Sequence, residues 1–383
     1  MCDRIGGSQR VKLVVVFQLM RTNPEQCRKR STISASGALV GQIRLPSRPI
    51  CLGVFHYADA ILLKSHNVSP IAPPLPLPDE LAATPRLRIV SLVPSVTELL
   101  FALGLGPWIV GRTGFCIHPA PAVSAISKIG GTKDVNLPKV RALAPTHVVV
   151  NVDENRLETV EALRAFIPHL VVTHPCGPED NLRLIAQIVE MVEVFAAELG
   201  VRSEPVGRKV ASADEISYLE GALPDVPDLR DRAGRLAAGL REELAACRTF
   251  VAAHPAAQAG RRVLYLIWRA PWMTVARDTY IARMLAEVGW HTWPPVDGGP
   301  HGAARYPVVT GDEPWLMDID ELLLSSEPYR FGEEHLAEAQ ALCPNARVRL
   351  VDGELISWYG PRAAEGLRYL RGLADGKPGA SPR

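Results

Sequence analysis

Four stretches of the chain place aromatic, imidazole and guanidinium groups directly behind short apolar runs. They are Phe115, Cys116 and His118; Trp268, Arg269 and Trp272; Glu327, Tyr329 and Arg330; and Trp358 with Tyr359. Each apolar run reads as a strand, so these side chains stand on loops that leave strand ends. In an open α/β sheet, loops at the carboxyl ends of strands line the crevice where ligands sit. Ring faces stack on flat ligands, and forked guanidinium donors hold amide or carboxylate edges. The lining therefore suits a large planar macrocycle. Arg305 and Tyr306, in a Gly- and Pro-rich loop, join it. His118 is the candidate axial ligand to a metal carried inside that macrocycle, because a neutral imidazole ligates cobalt and iron. Cys116 reads instead as a small buried side chain.

Other chemistries lack their residues. A metal-ion site made by the protein alone needs several imidazole or carboxylate ligands, and no H-x-H or H-E-x-x-H spacing occurs. There is no G-x-S-x-G elbow, no G-x-x-x-x-G-K-[ST] loop and no G-x-G-x-x-G behind a strand. Gly104 and Gly106 close a helix and do not open one, which excludes a dinucleotide loop. Ser325, Ser326 and Glu327, like Asp352, Gly353 and Glu354, put acids at strand ends, where Asp-Gly is ordinary turn chemistry. The expectation is a binding protein without catalytic residues or a catalytic cofactor.

The elements that would position these side chains alternate. Strands are expected at 89–93, 108–111, 147–150 and 170–172, with helices at 95–103, 137–143 and 156–166 between them. Ser95 is the expected N-cap of the first helix, with Glu98 completing a capping box. A long amphipathic helix follows at 178–199, with Leu184, Ile185, Ile188, Val192 and Phe195 near period 3.6. Residues 201–228, broken by Pro205, Gly207, Gly221, Pro224 and Pro227, read as an irregular insertion before a helix at 228–252. The alternation then resumes with strands at 263–267, 322–324 and 348–351 and helices at 280–288 and 362–373. Strands alternating with helices at this spacing imply parallel sheets.

The bulk numbers agree with an ordinary globular chain: 383 residues, 47% hydrophobic, 22% charged and a formal net charge of +1. Near-neutral charge gives no reason to expect nucleic acid as a partner. The seven cysteines are scattered and contain no C-x-x-C pair, so they form neither a disulfide framework nor a zinc spacing. Residues 1–85 read as a poorly ordered extension, ending in a Pro-rich linker at 70–78. The apolar residues 14–20 follow Arg10 and Lys12, but Gln18 interrupts them and no A-x-A site follows. They do not make a convincing signal peptide.

The segment R-I-V-S-L-V-P-S-V-T-E-L-L-F-A-L-G-L-G at 88–106 resembles the opening of cobalamin- and ferric-siderophore-binding proteins. V-G-R-T-G-F-C-I-H-P at 110–119 and N-L-P-K-V-R-A-L-A-P-T-H-V-V-V at 136–150 follow in that family's order. A subgroup shares F-C-x-H-P, G-G-T-K at 130–133, D-E-N-R at 153–156, Y-L-I-W-R at 265–269, S-S-E-P-Y at 325–329 and D-G-E-x-x-S-W-Y-G at 352–360. The resemblance covers about three quarters of the chain. It is to the iron-complex and cobalamin periplasmic-binding family, the helical-backbone metal receptors or class III substrate-binding proteins of ABC importers. It implies a TroA-like α/β fold with two lobes, each a mainly parallel sheet flanked by helices, joined by a long linking helix. The expected organisation is an N-terminal lobe at 86–176, a linking segment at 177–258, a C-terminal lobe at 259–376 and a tail at 377–383. The implied ligand is a metal chelate, cobalamin first, held between the lobes by a monomer that hands it to an importer permease in the periplasm.

Two departures from the family's pattern bear on that role. Transporter-coupled members present an acid on an exposed helix of each lobe, and here Pro138 and Lys139 stand in the first lobe where an acid would be typical. The second lobe keeps Asp312 and Glu313 nearby. An aromatic common in the family is replaced by Lys133. These leave a cytoplasmic corrinoid or heme carrier as the alternative, and an enzyme on the same scaffold as a more distant one.

Overall fold

Every residue of Ile89–Ser91 and of His147–Asn151 is buried. Strands wet on neither face belong in parallel sheets covered by helices on both sides. The computed structural model describes residues 86–200 and 223–377, and it contains two such sheets. In chain order the strands are β1 (Ile89–Ser91), β2 (Ile109–Arg112), β3 (Ser127–Lys128), β4 (His147–Asn151), β5 (His169–Thr173), β6 (Arg261–Leu266), β7 (Trp272–Met273), β8 (Trp290–Thr292), β9 (Val308–Val309), β10 (Glu321–Ser325) and β11 (Arg347–Val351). The α-helices are α1 (Pro94–Ala102), α2 (Leu137–Ala142), α3 (Leu157–Arg164), α4 (Asp180–Glu198), α5 (Val226–Ala253), α6 (Pro255–Ala259), α7 (Tyr280–Ala286), α8 (Leu336–Leu342), α9 (Gly353–Ser357) and α10 (Arg362–Ala374).

The first sheet has the order β3-β2-β1-β4-β5 and the second β11-β10-β6-β8, with every pairing in both parallel. Because the strands are parallel, all the loops leaving their carboxyl ends emerge along one edge of each sheet. In the first sheet β1 lies between β2 and β4, so the chain reverses its direction of winding there. That is the switch point at which open α/β sheets hold ligands. A small antiparallel pair, β7 with β9, sits beside the second sheet.

The lobes share a core. Leu184, Ile185, Ile188, Val192 and Phe195 form the buried stripe of α4, and they pack in one cluster with Leu240, Leu244 and Cys247 of α5 and Leu367 and Leu370 of α10. The same cluster holds Ile89 and Val149 of the first sheet with Val263, Tyr265 and Leu323 of the second. Each such side chain contributes about 1.5–3 kcal/mol on burial, so the linking helices are welded to both lobes. Asn181, fully buried at the start of α4, adds a polar tie. Its Nδ2 donates to Tyr280 Oη at 3.0 Å, and its Oδ1 accepts from Gly360 N at 2.6 Å.

The expected elements form, with these differences. The capping box on α1 does not: the helix starts at Pro94 with Val93 as N-cap and no side-chain cap. Glu98 turns instead to Arg362, at 2.6 and 3.1 Å, because an ion pair with the other lobe outcompetes a cap. Asp352, read as turn chemistry, caps α9 by accepting from Leu355 N at 3.2 Å. Linkage between the lobes is carried by α4 and α5 together. The α5 helix begins at Val226, inside the expected insertion. Strands β3, β7, β8 and β9 and helix α8 had no period long enough to be read. The extension at 1–85, most of the insertion and nearly all of the tail lie outside the described residues.

Candidate functional site

The carboxyl edges of the two sheets meet. His118, on the loop after β2, places Nε2 3.1 Å from Glu354 Oε2, on α9 after β11. The imidazole also meets Trp358 edge-on, with ring centroids 5.4 Å apart. Glu354 in turn holds Arg362 Nη1 at 2.8 Å, and Arg362 lies 4.8 Å over the Trp358 ring. A histidine of the first lobe is thereby set into a charged and aromatic group of the second.

A second crossing lies after β4 and β5. Asp153 Oδ1 is 3.1 Å from Arg305 Nε, and both side chains are almost wholly buried. His174 Nε2 approaches the other Asp153 oxygen at 3.5 Å. The Cys176 thiol lies 3.5 Å from the same imidazole. Burial alone would raise the Asp153 carboxyl. His174 and Arg305 outweigh it and hold the group below the usual carboxylate range. Burial opposes protonation of His174, yet its bonds to Asp153 and Cys176 push it up to about 9. The pair is therefore imidazolium and carboxylate at neutral pH.

Glu154 and Glu327, from opposite lobes, lie close enough for the charge of one to act on the other. Burial first, and then the Glu327 charge, push Glu154 up to about 8, against the pull of Lys133. Glu327 is raised chiefly by burial. Ser357 Oγ at 2.7 Å and Trp358 Nε1 at 2.6 Å donate to its Oε1 and limit the rise. Lys133 donates to Asp153 O at 2.8 Å.

The side chains singled out in the sequence fall into two groups. His118, Glu327, Trp358, Arg305, Tyr306 and Tyr359 lie on or against the junction. Trp358 and Tyr359 are buried there, with Tyr359 edge-on to Tyr280 at 4.9 Å. Phe115, 63% exposed, projects from the same loop as His118. Trp268, Arg269, Trp272 and Tyr329 form the second group, on the second lobe. Trp268 is 42% exposed and meets Tyr329 edge-on at 5.6 Å. Trp272 lies in β7, stacked 6.0 Å from Phe331 on the second lobe's own core. Arg269 is held by Glu338 at 2.7 Å, with Trp272 beside it. Among the described residues no three His, Cys, Asp or Glu side chains gather closely enough to hold a metal ion.

Several residues of the junction were not candidates in the sequence. Asp153 and Glu154 open the D-E-N-R block directly behind β4, and that position was a usable signal. His174 follows β5 in the same way. Arg362, the first residue of α10, carried no local mark of its role.

The arrangement can be compared with known proteins. The chain superposes on the periplasmic heme-binding protein of Roseiflexus sp. RS-1 in its apo form with a TM-score of 0.53 and 22% identity, over 76% of this chain and 97% of that one. This is the fold of the helical-backbone periplasmic-binding proteins. By sequence, the chain is 29% identical over 140 residues to a vitamin B12-binding protein of Vibrio campbellii, across 35% of this chain and 50% of that protein. It thus spans half the length of that curated relative. An uncharacterized ABC transporter substrate-binding lipoprotein of Bacillus subtilis is 22% identical over 295 residues, which is 74% of this chain and 78% of the relative. No protein-family model matches. Within the periplasmic-binding fold the junction described above is the seam between the lobes.

Proposed function

We propose that the chain is the substrate-binding protein of an ABC importer and captures a metal macrocycle, a corrinoid or heme, at the seam between its lobes. One observation carries the reading: rings of both lobes, with guanidinium groups of the second, converge where the carboxyl edges of two parallel sheets meet. Trp358, Tyr306 and the exposed Phe115 offer faces to a planar ligand, and the exposed Trp268 adds an apolar surface on the second lobe. Arg362, paired with Glu98 and Glu354, sets a guanidinium near its edge, and the buried Arg305–Asp153 pair braces the seam behind it. His118 offers one nitrogen to the metal, because Glu354 already holds Nε2 and leaves Nδ1. A carboxylate on the second nitrogen is the usual partner of a ligating histidine. The relatives named for vitamin B12 and for heme support this ligand class, and the lipoprotein relative supports the importer. A corrinoid is the first choice on the sequence motifs.

The surface toward a permease is uneven. Lys139 is exposed on α2 in the first lobe, and Asp312 is exposed in the second. Glu313 folds onto its own loop, accepting from Thr310 N and Gly311 N at 2.8 Å each. Titration of the purified protein with cobalamin, cobinamide, heme and a ferric siderophore, followed by absorbance and heat, tests the reading. One-to-one binding of a macrocycle at micromolar or tighter is expected. If no compound binds below about millimolar, where binding is worth only ~4 kcal/mol, the reading falls.

A further inference from the structure

We propose that the amino end of α1 seats an acidic oxygen on the rim of the bound macrocycle, a carboxylate or a phosphate, between the Ser95 hydroxyl and the N–H groups of Ser95 and Val96. This rests on the macrocycle reading above.

Helix α1 opens at the carboxyl end of β1, the strand at the switch point of the first sheet. Its end is left uncapped. The N-cap Val93 has no side chain to offer, Pro94 has no N–H, and the first turn holds no acid. Thr97 N already donates to Val93 O at 2.8 Å, so the helix geometry leaves Ser95 and Val96 as its orphan donors. The Ser95 side chain is 3% exposed, and its Oγ has no hydrogen-bond partner in the fold. An unsatisfied buried hydroxyl keeps the full cost of its desolvation and calls for an explanation. The contrast with Thr97, two residues on, is direct: its hydroxyl reaches Ser91 Oγ, Val93 O and Cys116 Sγ.

Ser95 also faces the seam. Glu98 and Leu99 point at the second lobe: Arg362 grips Glu98, and a Cβ on Gly360 would stand 3.0 Å from Leu99 Cβ. Residues three and four apart share a helix face, so Ser95 lies on that face, one turn nearer the sheet edge. Three donors at the positive end of a helix make a seat for an anion. The acids on this side have partners of their own: Glu98 pairs with Arg362, and Glu354 with Arg362 and His118. Heme carries two carboxylates and cobalamin one phosphate, so both ligand classes offer the required oxygen.

The test compares the full chain and Ser95→Ala with two ligand pairs: heme against its dimethyl ester, and cobalamin against cobinamide, which lacks the phosphate. The acidic member that binds should weaken about tenfold in Ser95→Ala, while its partner without the acidic oxygen stays within twofold. The arm that shows the difference identifies the source of the oxygen. The melting temperature should hold or rise, because an unpaired buried hydroxyl is removed. Equal affinities for both members in the variant and the wild type overturn the proposal, and so does an equal loss for both. If no member of either pair binds the wild type, the macrocycle reading falls and the seat with it.

Discussion

Arg305 Nε lies 3.1 Å from Asp153 Oδ1 across the seam, with 2% and 9% of the two side chains exposed. A guanidinium from the loop before β9 is thus sealed against a carboxylate that follows β4. Gly299 O, at 2.7 Å from Arg305 Nη1, helps to satisfy the guanidinium within its own lobe. Removing one partner of such a pair strands the other in low dielectric, which costs more than the pair itself contributes.

Arg305→Met is therefore expected to lose about 3 kcal/mol of unfolding free energy at pH 7, and Asp153→Asn a similar amount. The double variant should lose clearly less than the two together, because neither charge is then left alone. Urea titrations of the three proteins measure it. Additive losses would mean that the two groups do not depend on each other.

Stability should fall as the pH rises, through Glu154. Its folded carboxyl keeps its proton to about pH 8, against 4.5 for an ordinary glutamate. Below pH 4.5 both states are protonated and nothing is lost. Between 4.5 and 8 the unfolded chain gives up a proton that the fold retains, so stability drops and the loss is complete above about 8. His174 adds to the fall. Its folded value, about 9, lies above the ordinary 6.5, so its contribution is full below 6.5 and disappears as the pH passes 9. Glu154→Gln should match the wild type at pH 4 and exceed it at pH 9. Parallel urea midpoints across that range would show that the Glu154 proton plays no part.

On the acid side His147 acts in the opposite sense. Burial and the charge of its neighbour His169, stacked at 4.4 Å, bring it down to about 3. The unfolded histidine takes a proton near pH 6.5 and the folded one does not, so stability falls as the pH drops from 6.5 toward 3. His147→Asn keeps a polar side chain without that proton and should resist acid better relative to its own stability at pH 7. The check is the ratio of urea midpoints at pH 4 and pH 7, which should be higher in the variant.

At the ligand, His118 and Trp358 should separate by spectroscopy. His118→Ala is expected to shift the visible band of a bound corrinoid or heme, and Glu354→Gln to shift it less and in the same direction. Trp358→Ala removes a ring face and one of the two donors to Glu327 Oε1. Binding should weaken about tenfold, with the band unmoved. A spectrum unchanged in His118→Ala would make that residue a partner of Glu354 alone.

The alternation of apolar runs and amphipathic segments was enough, by itself, to specify two parallel α/β units with helices between them. Burial on both faces leaves a clear pattern in continuous apolar runs such as Val148, Val149 and Val150, and a 3.6-residue stripe marks α4. Strand-end positions also marked His118, Glu327 and Trp358, because a parallel sheet sends all its carboxyl-end loops to one edge. What the tertiary structure decided was pairing. Local spacing suits Glu98 to a capping box and Arg362 to the start of a closing helix, yet they meet across 264 positions of sequence. Asp153 and Arg305 are separated by 152. Ser95 has the residue type and spacing of an N-cap, yet its hydroxyl is buried without a partner. Local propensity is carried by neighbours in the chain, whereas the partner of a charge depends on which loops the packing of α4, α5 and α10 brings together.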